Sequence, residues 1–237
     1  MKEKISIVIP IYNESESIFK LIDEIILVLG GFIFEILIVN DGSSDSFERL
    51  FKPIKKKKVS LKCINHKKNL GKSKAMLTGV KHAHYDLICI MDGDGQNPPV
   101  EVKKMLEIWD EQKTKKFLIV CGNRKNRKDT LIKRYSSKIA NAVRKRILKD
   151  GCNDTACALK MFRKQDYIKI PYFKNVHRFL PALFNAFNGN VINIPINDRK
   201  RKYGTSKFNF NNRFWVGIID LFRVWYLVKF KKENFKC

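Results

Sequence analysis

The chain has 237 residues, of which 44% are hydrophobic, enough for one folded domain with a short appendage and too apolar for a disordered chain. Its formal net charge of +25 implies attraction to polyanions such as nucleic acid, anionic lipid or phosphorylated substrates, without selecting among them. The six cysteines include no Cys-x-x-Cys pair and no zinc-site spacing, so reduced core thiols are expected; with no signal-peptide pattern in MKEKISIVIP, the reading is a cytoplasmic protein.

The first half alternates strand and helix signals. Apolar runs at Ile5 to Pro10, Glu35 to Val39, Val59 to Ile64, Asp86 to Met91 and Phe117 to Cys121 read as buried strands. Between them, Ser15 to Leu29 carries apolar residues at helical spacing and ends at Gly30-Gly31. Gly71 to His84 and Pro98 to Lys113 also read as helices. Repeated βα units predict an α/β fold with a twisted, mostly parallel sheet, helices on both faces and ligands beyond the carboxyl ends of the strands. After residue 124 the pattern changes. Asp129 to Lys149 reads as a long basic helix, Ala158 to Phe162 and Val191 to Ile196 as strands, and residues 198–213 are polar and basic. Phe214 to Phe230 is apolar and aromatic but short, with Asp220 and Arg223 near its middle. A spanning helix needs about 20 apolar residues, so an interfacial amphipathic helix fits better, with a helix packed on the domain as an equal alternative. The expected division is a catalytic domain over 1–212 and a membrane-interface helix over 213–237.

Polar motifs gather at the strand ends. Asp92 and Asp94 leave a buried strand at i and i+2, a pair suited to a divalent cation that also binds a diphosphate, and Gly93 between them suggests close ligand approach. Gln96 and Asn97 follow, with groups for sugar hydroxyls or metal-bound water. Glu14 and Asp41, at the first two strand ends, suit a nucleoside base and ribose, although each alone reads equally as a helix cap. Lys72, Arg124, Arg127, Arg134, Arg199, Arg201 and Lys207 offer cations to a departing diphosphate. The segment from Arg199 to Lys207, dense in cations around Gly204, reads as a flexible phosphate-binding loop. Asp154 and His177 read first as a turn cap and a structural histidine. No Walker loop and no Gly-x-Gly-x-x-Gly occurs, which argues against ordinary ATPases and dinucleotide enzymes.

Taken together, these motifs resemble family 2 glycosyltransferases of the polyprenyl-phosphate, dolichol-phosphate mannosyltransferase-like branch. The matching segments are VIPIYNE (8–14), NDGSSD (40–45), NLGK (69–72), MDGDGQNP (91–98), GNR (122–124), SKIAN (137–141), DTACALK (154–160), HRF (177–179) and RKYGTSK (201–207), in the family order. The resemblance implies a GT-A fold with a C-terminal amphipathic helix, and transfer of a hexose with inversion from GDP-mannose or a UDP-sugar to a polyprenyl phosphate. It implies that Pro10, Tyr12, Glu14 and Asp41 line the nucleoside pocket. Asp92, Asp94 and Gln96 would hold Mg2+ or Mn2+ and the donor diphosphate. Arg124, Arg134 and Arg201 would meet phosphates, joined by His177, Arg199 and Lys207 on the acceptor side, and Asp154 would lie beside the reacting centre. Asn40 stands where the family usually has an aspartate, and Ala156 and Ala158 replace residues that are often glycine or serine.

A phosphate monoester acceptor is largely ionised at neutral pH, with a second pKa of about 6, so it needs little general-base help. Asp154 is therefore expected to position groups or balance charge. The implied partners are a nucleotide sugar, a polyprenyl phosphate, an anionic membrane surface and, as an alternative to direct docking, a separate membrane subunit; nucleic acid is not among them. The location implied is cytoplasmic, peripheral on the inner face of the membrane. Two other readings stay open here: a family 2 transferase acting on a sugar hydroxyl, and a basic nucleic-acid-binding protein.

Overall fold

The structure, a computed structural model, describes residues 3–51, 59–125, 142–201 and 210–230, the last of these with side chains from 217 onward. The strands are β1 (Lys4–Ile11), β2 (Ile33–Asn40), β3 (Ser60–Asn65), β4 (Leu87–Ile90), β5 (Leu118–Arg124), β6 (Lys160–Arg163) and β7 (Asn190–Ile196). The helices are α1 (Ser15–Leu29), α2 (Phe47–Phe51), α3 (Lys72–His82), α4 (Val100–Gln112), α5 (described over 142–148), α6 (Lys164–Lys169), α7 (Leu180–Ala186) and α8 (Phe210–Phe230). A short 3-10 turn, Val176–Arg178, precedes α7.

The strands form one sheet in the order β3-β2-β1-β4-β6-β5-β7. All its pairings are parallel except those of β6, which is antiparallel to both β4 and β5. Apolar runs rather than alternating patterns mark the central strands because both faces are covered. Ile5, Ile7, Ile9, Ile36 and Ile38 pack under α1 and α4, whereas Val8, Leu37, Ile88 and Ile90 pack under α3, α7 and α8. The cysteines described are free thiols. Cys89, Cys121, Cys152 and Cys157 are buried as expected, but Cys63 is only half-buried because β3 is an edge strand.

Of the two readings that the sequence left open for the C-terminal helix, packing on the domain is observed for one face. Val224 is fully buried, and Leu221, Trp225, Leu227 and Val228 pack against the same core as α7. Asp220, also buried, accepts a hydrogen bond from Asn175 Nδ2 at 2.9 Å, so it faces the domain. The opposite face exposes Ile219, Phe222, Tyr226 and Phe230. Trp225 thus belongs to the packed face rather than to the outward one. Among the described residues no helix is long and apolar enough to cross a membrane. The helix begins at Phe210, before the expected boundary at 213.

Candidate active site

The parallel strands β1, β2, β4 and β5 deliver their carboxyl ends to one edge of the sheet, and Glu14, Asp41, Asp92, Asp94 and Arg124 lie in or just after them. Loops after β1 and β2 are sewn together first. Asn13, in the left-handed conformation that asparagine tolerates, receives the Ser44 N–H on its Oδ1 at 2.7 Å, while its own N–H donates to Ser43 Oγ at 2.9 Å. Asp45 accepts the Ser15 N–H at 2.9 Å and so caps α1 from another loop. Asn40 donates to Asn65 Oδ1 and accepts from the Ser43 N–H, both at 3.0 Å. An amide, with both a donor and an acceptor, serves this internal strut as a carboxylate cannot.

Asp41 is buried, and its carboxylate is committed to the protein. Oδ1 lies 2.7 Å from His66 Nδ1 and accepts the Leu70 N–H at 3.0 Å; Oδ2 accepts the Gly71 N–H at 2.8 Å. Its observed task is to shape the 69–71 loop and the start of α3. His66, a partner that sequence reading missed, also lies 3.0 Å from Thr78 Oγ1; its signal was a polar residue directly after β3. Pro10 is buried within β1, whereas Tyr12 is exposed beside the site. An open cleft of about 340 Å3, bounded in part by Asn40, Ser43, Asn65 and His66, lies on the β2–β3 side of these loops, and the aspartate pair does not line it.

Asp92 and Asp94 follow β4. Packing alone requires Gly93 between them: a Cβ there would come within 2.6 Å of Ile11 Cγ2. Its carbonyl accepts from Ser17 Oγ at 2.7 Å, tying the motif to α1. Lys72, at the start of α3, places its ammonium on Asp92 Oδ1. Arg201 donates to Glu14 Oε1 and lies 3.5 Å from Asp94 Oδ2. Burial and the charge of Asp92 push the Asp94 carboxyl up from its ordinary value, against the Gln96 N–H, Arg201 and Lys72, which pull it down.

Arg201 reaches this point because the chain after β7 runs along the Asp94–Asn97 turn. The Arg199 N–H donates to the Gln96 carbonyl at 2.8 Å, Gln96 Nε2 donates to the Arg199 carbonyl at 3.3 Å, and Asn97 Nδ2 donates to Asp198 Oδ1 at 3.3 Å. Gln96 is therefore a strut between segments here. The Arg199 guanidinium turns away to Glu24 on α1, with contacts of 2.6 and 2.8 Å, and does not join Lys72 and Arg201 beside the aspartate pair.

Arg124 at the end of β5 clasps Asp154 with two hydrogen bonds, Nε to Oδ2 at 2.7 Å and a terminal nitrogen to Oδ1 at 3.0 Å. Burial opposes the Arg124 charge, but the Asp154 bonds and charge outweigh it and push the guanidinium pKa up. His177 Nδ1 lies 2.6 Å from Ser73 Oγ, which links the 3-10 turn to the residue after Lys72. Arg134 and Lys207 lie outside the described residues, as does Arg127.

Among the described residues no group of three or more His, Cys, Asp or Glu side chains is placed to hold a metal ion. The Asp92–Asp94 pair instead fits Mg2+ or Mn2+ completed by phosphate oxygens, a coordination in which the protein supplies one or two carboxylates. Burial first, and then the like charge of Asp92, raise the Asp94 carboxyl, and a divalent ion would relieve both.

With this geometry in hand, comparison with known proteins is informative. The sequence profile of glycosyl transferase family 2 matches residues 6–170. An undecaprenyl-phosphate 4-deoxy-4-formamido-L-arabinose transferase of Salmonella paratyphi B (strain ATCC BAA-1250 / SPB7) is 33% identical over 211 residues, 88% of this chain and 63% of the relative. The chain thus spans less than two thirds of the length of that relative. Among solved structures, glucosyl-3-phosphoglycerate synthase from Mycobacterium tuberculosis with UDP is similar at a TM-score of 0.71 and 14% identity, covering 95% of this chain and 80% of that one. The same synthase with Mn2+, UDP and phosphoglyceric acid gives 0.69 at 14% identity, covering 95% and 78%. At such identity the likeness concerns the fold, which is the GT-A arrangement of a mostly parallel sheet flanked by helices.

Proposed function

The chain belongs to glycosyl transferase family 2, and from that premise we propose that it transfers a sugar from a nucleotide sugar to a polyprenyl phosphate at a membrane surface, with inversion. The observation that carries the reading is the Asp92–Asp94 pair at the end of β4, flanked by Lys72 and Arg201. In the reaction a phosphate oxygen of the acceptor forms the new bond to the anomeric carbon while the bond from that carbon to the donor's diphosphate breaks. A divalent ion, when bound, neutralises charge developing on that diphosphate. Asp92 and Asp94 would hold it. Arg201, fixed by Glu14 and by the contacts of Asp198 and Arg199 with Asn97 and Gln96, would stabilise the leaving group. Arg124 would present positive charge toward the acceptor phosphate, with Asp154 fixing its orientation.

The bidentate Arg124–Asp154 pair favours a phosphate acceptor over a sugar hydroxyl, because a general base needs a carboxylate free to take a proton. The relative's name, which joins a sugar to undecaprenyl phosphate, supports the same choice. The outward face of α8 supports docking on the membrane: Ile219, Phe222, Tyr226 and Phe230 supply apolar contact, with Lys229 exposed beside them and a chain charge of +25 for anionic lipid. Such a protein is peripheral on the cytoplasmic face, with 1–212 as the catalytic part and 213–237 as the docking part.

The test is a panel of UDP- and GDP-sugars offered with a polyprenyl phosphate and Mg2+ or Mn2+, reading out glycolipid. Formation of a sugar-phosphate lipid from one donor supports the reading. Transfer only to a glycan hydroxyl, lost in Asp154→Asn with a matching change in the pH profile, would replace it.

A further inference from the structure

Lys72 has a contact in the site that the proposed reaction does not explain. Its ammonium sits on Asp92 Oδ1, one of the oxygens a divalent ion needs. The backbone around it is pinned on both sides. Gly71 before it has φ +87 and is held, with Leu70, by Asp41; Ser73 after it is held by His177. Only the four-carbon stem of the lysine is left to move. Its side chain is 28% exposed and that of Asp92 32%, so the pair forms an accessible wall of the site rather than a buried strut. The second cation, Arg201, is already engaged by Glu14 and Asp94. Three carboxylates and two cations thus nearly balance one another within the protein.

We propose that Lys72 is an internal counter-ion which a divalent ion must displace from Asp92, so that ion entry exchanges one cation for another and frees the ammonium to meet the donor's diphosphate. The inference rests on the donor-site reading above and adds an order to it. An ion arriving alone must break the Lys72–Asp92 contact and leaves two cations facing each other. An ion arriving with a nucleoside diphosphate gives the displaced ammonium an anion at once. Ion and nucleotide are therefore expected to bind the free protein together far better than the ion binds alone. A lysine suits this exchange because its ammonium is a point charge on a flexible stem, without the fixed fork of an arginine.

The experiment follows the reactivity of Lys72 in the full chain by reductive dimethylation and peptide mass spectrometry, with Lys81 of the same helix as internal reference. Mn2+ alone, titrated to saturation by electron paramagnetic resonance, should raise Lys72 labelling about fivefold, the range of a partly exposed ion pair of up to about 1 kcal/mol. Adding UDP or GDP with Mn2+ should lower it again. In Asp92→Asn, Lys72 should label fast without metal and ignore Mn2+. Lys72→Gln should bind Mn2+ several-fold more tightly than wild type in the absence of nucleotide, and Lys72→Arg should not. If Mn2+ binding is lost in Asp92→Asn yet wild-type Lys72 labels equally with and without Mn2+, the counter-ion proposal fails and the donor site stands. If Asp92→Asn and Asp94→Asn bind Mn2+ as wild type does, the donor-site reading itself fails and takes the proposal with it.

Discussion

The loop after β4 and the loop before β6 each bring an aspartate to the carboxyl edge of the sheet, and the two are treated in opposite ways. Asp94 lies beside Asp92 in a site where its side chain is only 12% exposed, and burial with that neighbour raises its carboxyl pKa. Asp154 is more deeply buried, yet both its oxygens are met by one guanidinium. Desolvation therefore acts on both, and the difference lies in what answers it. At Asp94 the like charge of Asp92 adds to desolvation, and the Gln96 N–H, Arg201 and Lys72 answer it only in part. A carboxylate clasped by arginine is already complete and serves to orient its partner.

The comparison is broken most severely at Asp94. Asp94→Asn should lower transfer by about 10³-fold or more while the protein stays folded, because it removes charge where the donor diphosphate is neutralised. Nearly full activity in steady-state assays would show that the pair is a turn and not a site.

On the other side, Arg124→Met should leave Asp154 buried without its cation and cost about 3–5 kcal/mol of stability, the range for half of a buried ion pair. Chemical denaturation measures it. A loss below about 1 kcal/mol would mean that solvent reaches the pair and that Asp154 is available for other chemistry.

Arg201→Ala should reduce the rate by about 10²-fold. Its partner Glu14 is far less exposed than a surface residue, so a smaller rise in donor KM should accompany the fall in kcat. Activity within about twofold of wild type would make the contact of Arg201 with Asp94 incidental.

A smaller effect concerns stability without metal. Asp94 has a folded pKa raised above its ordinary 3.8, so it stabilises the fold below that value, and the contribution is lost as pH rises through the raised value. At neutral pH the ionised group opposes folding, and Asp94→Asn should be more stable than metal-free wild type. That advantage should vanish as pH falls toward 4. Thermal unfolding across this range checks the sign, and added Mn2+ should stabilise wild type but not the variant.

Much of this architecture was legible locally. Apolar runs marked the buried strands, helical spacing marked α1, α3 and α4, and the strand ends drew attention to Glu14, Asp41, Asp92 and Asp94. These readings succeed because the burial of a residue leaves its imprint on the residues beside it in sequence: a strand covered on both faces is apolar throughout, and a helix on a sheet is apolar on one stripe. Local pattern did not show that β6 stands between β4 and β5, antiparallel to both. Nor did local pattern say which charge meets which. Arg199 and Arg201 are alike in composition and two residues apart, yet one turns out to Glu24 and the other in to Glu14, 187 positions away. Nor did local pattern show that Gly93 makes room for Ile11. Such outcomes depend on the path of the chain after β7 and on shapes assembled from distant segments. Charge pairing and close packing are properties of distance in space, and only the tertiary structure sets that distance.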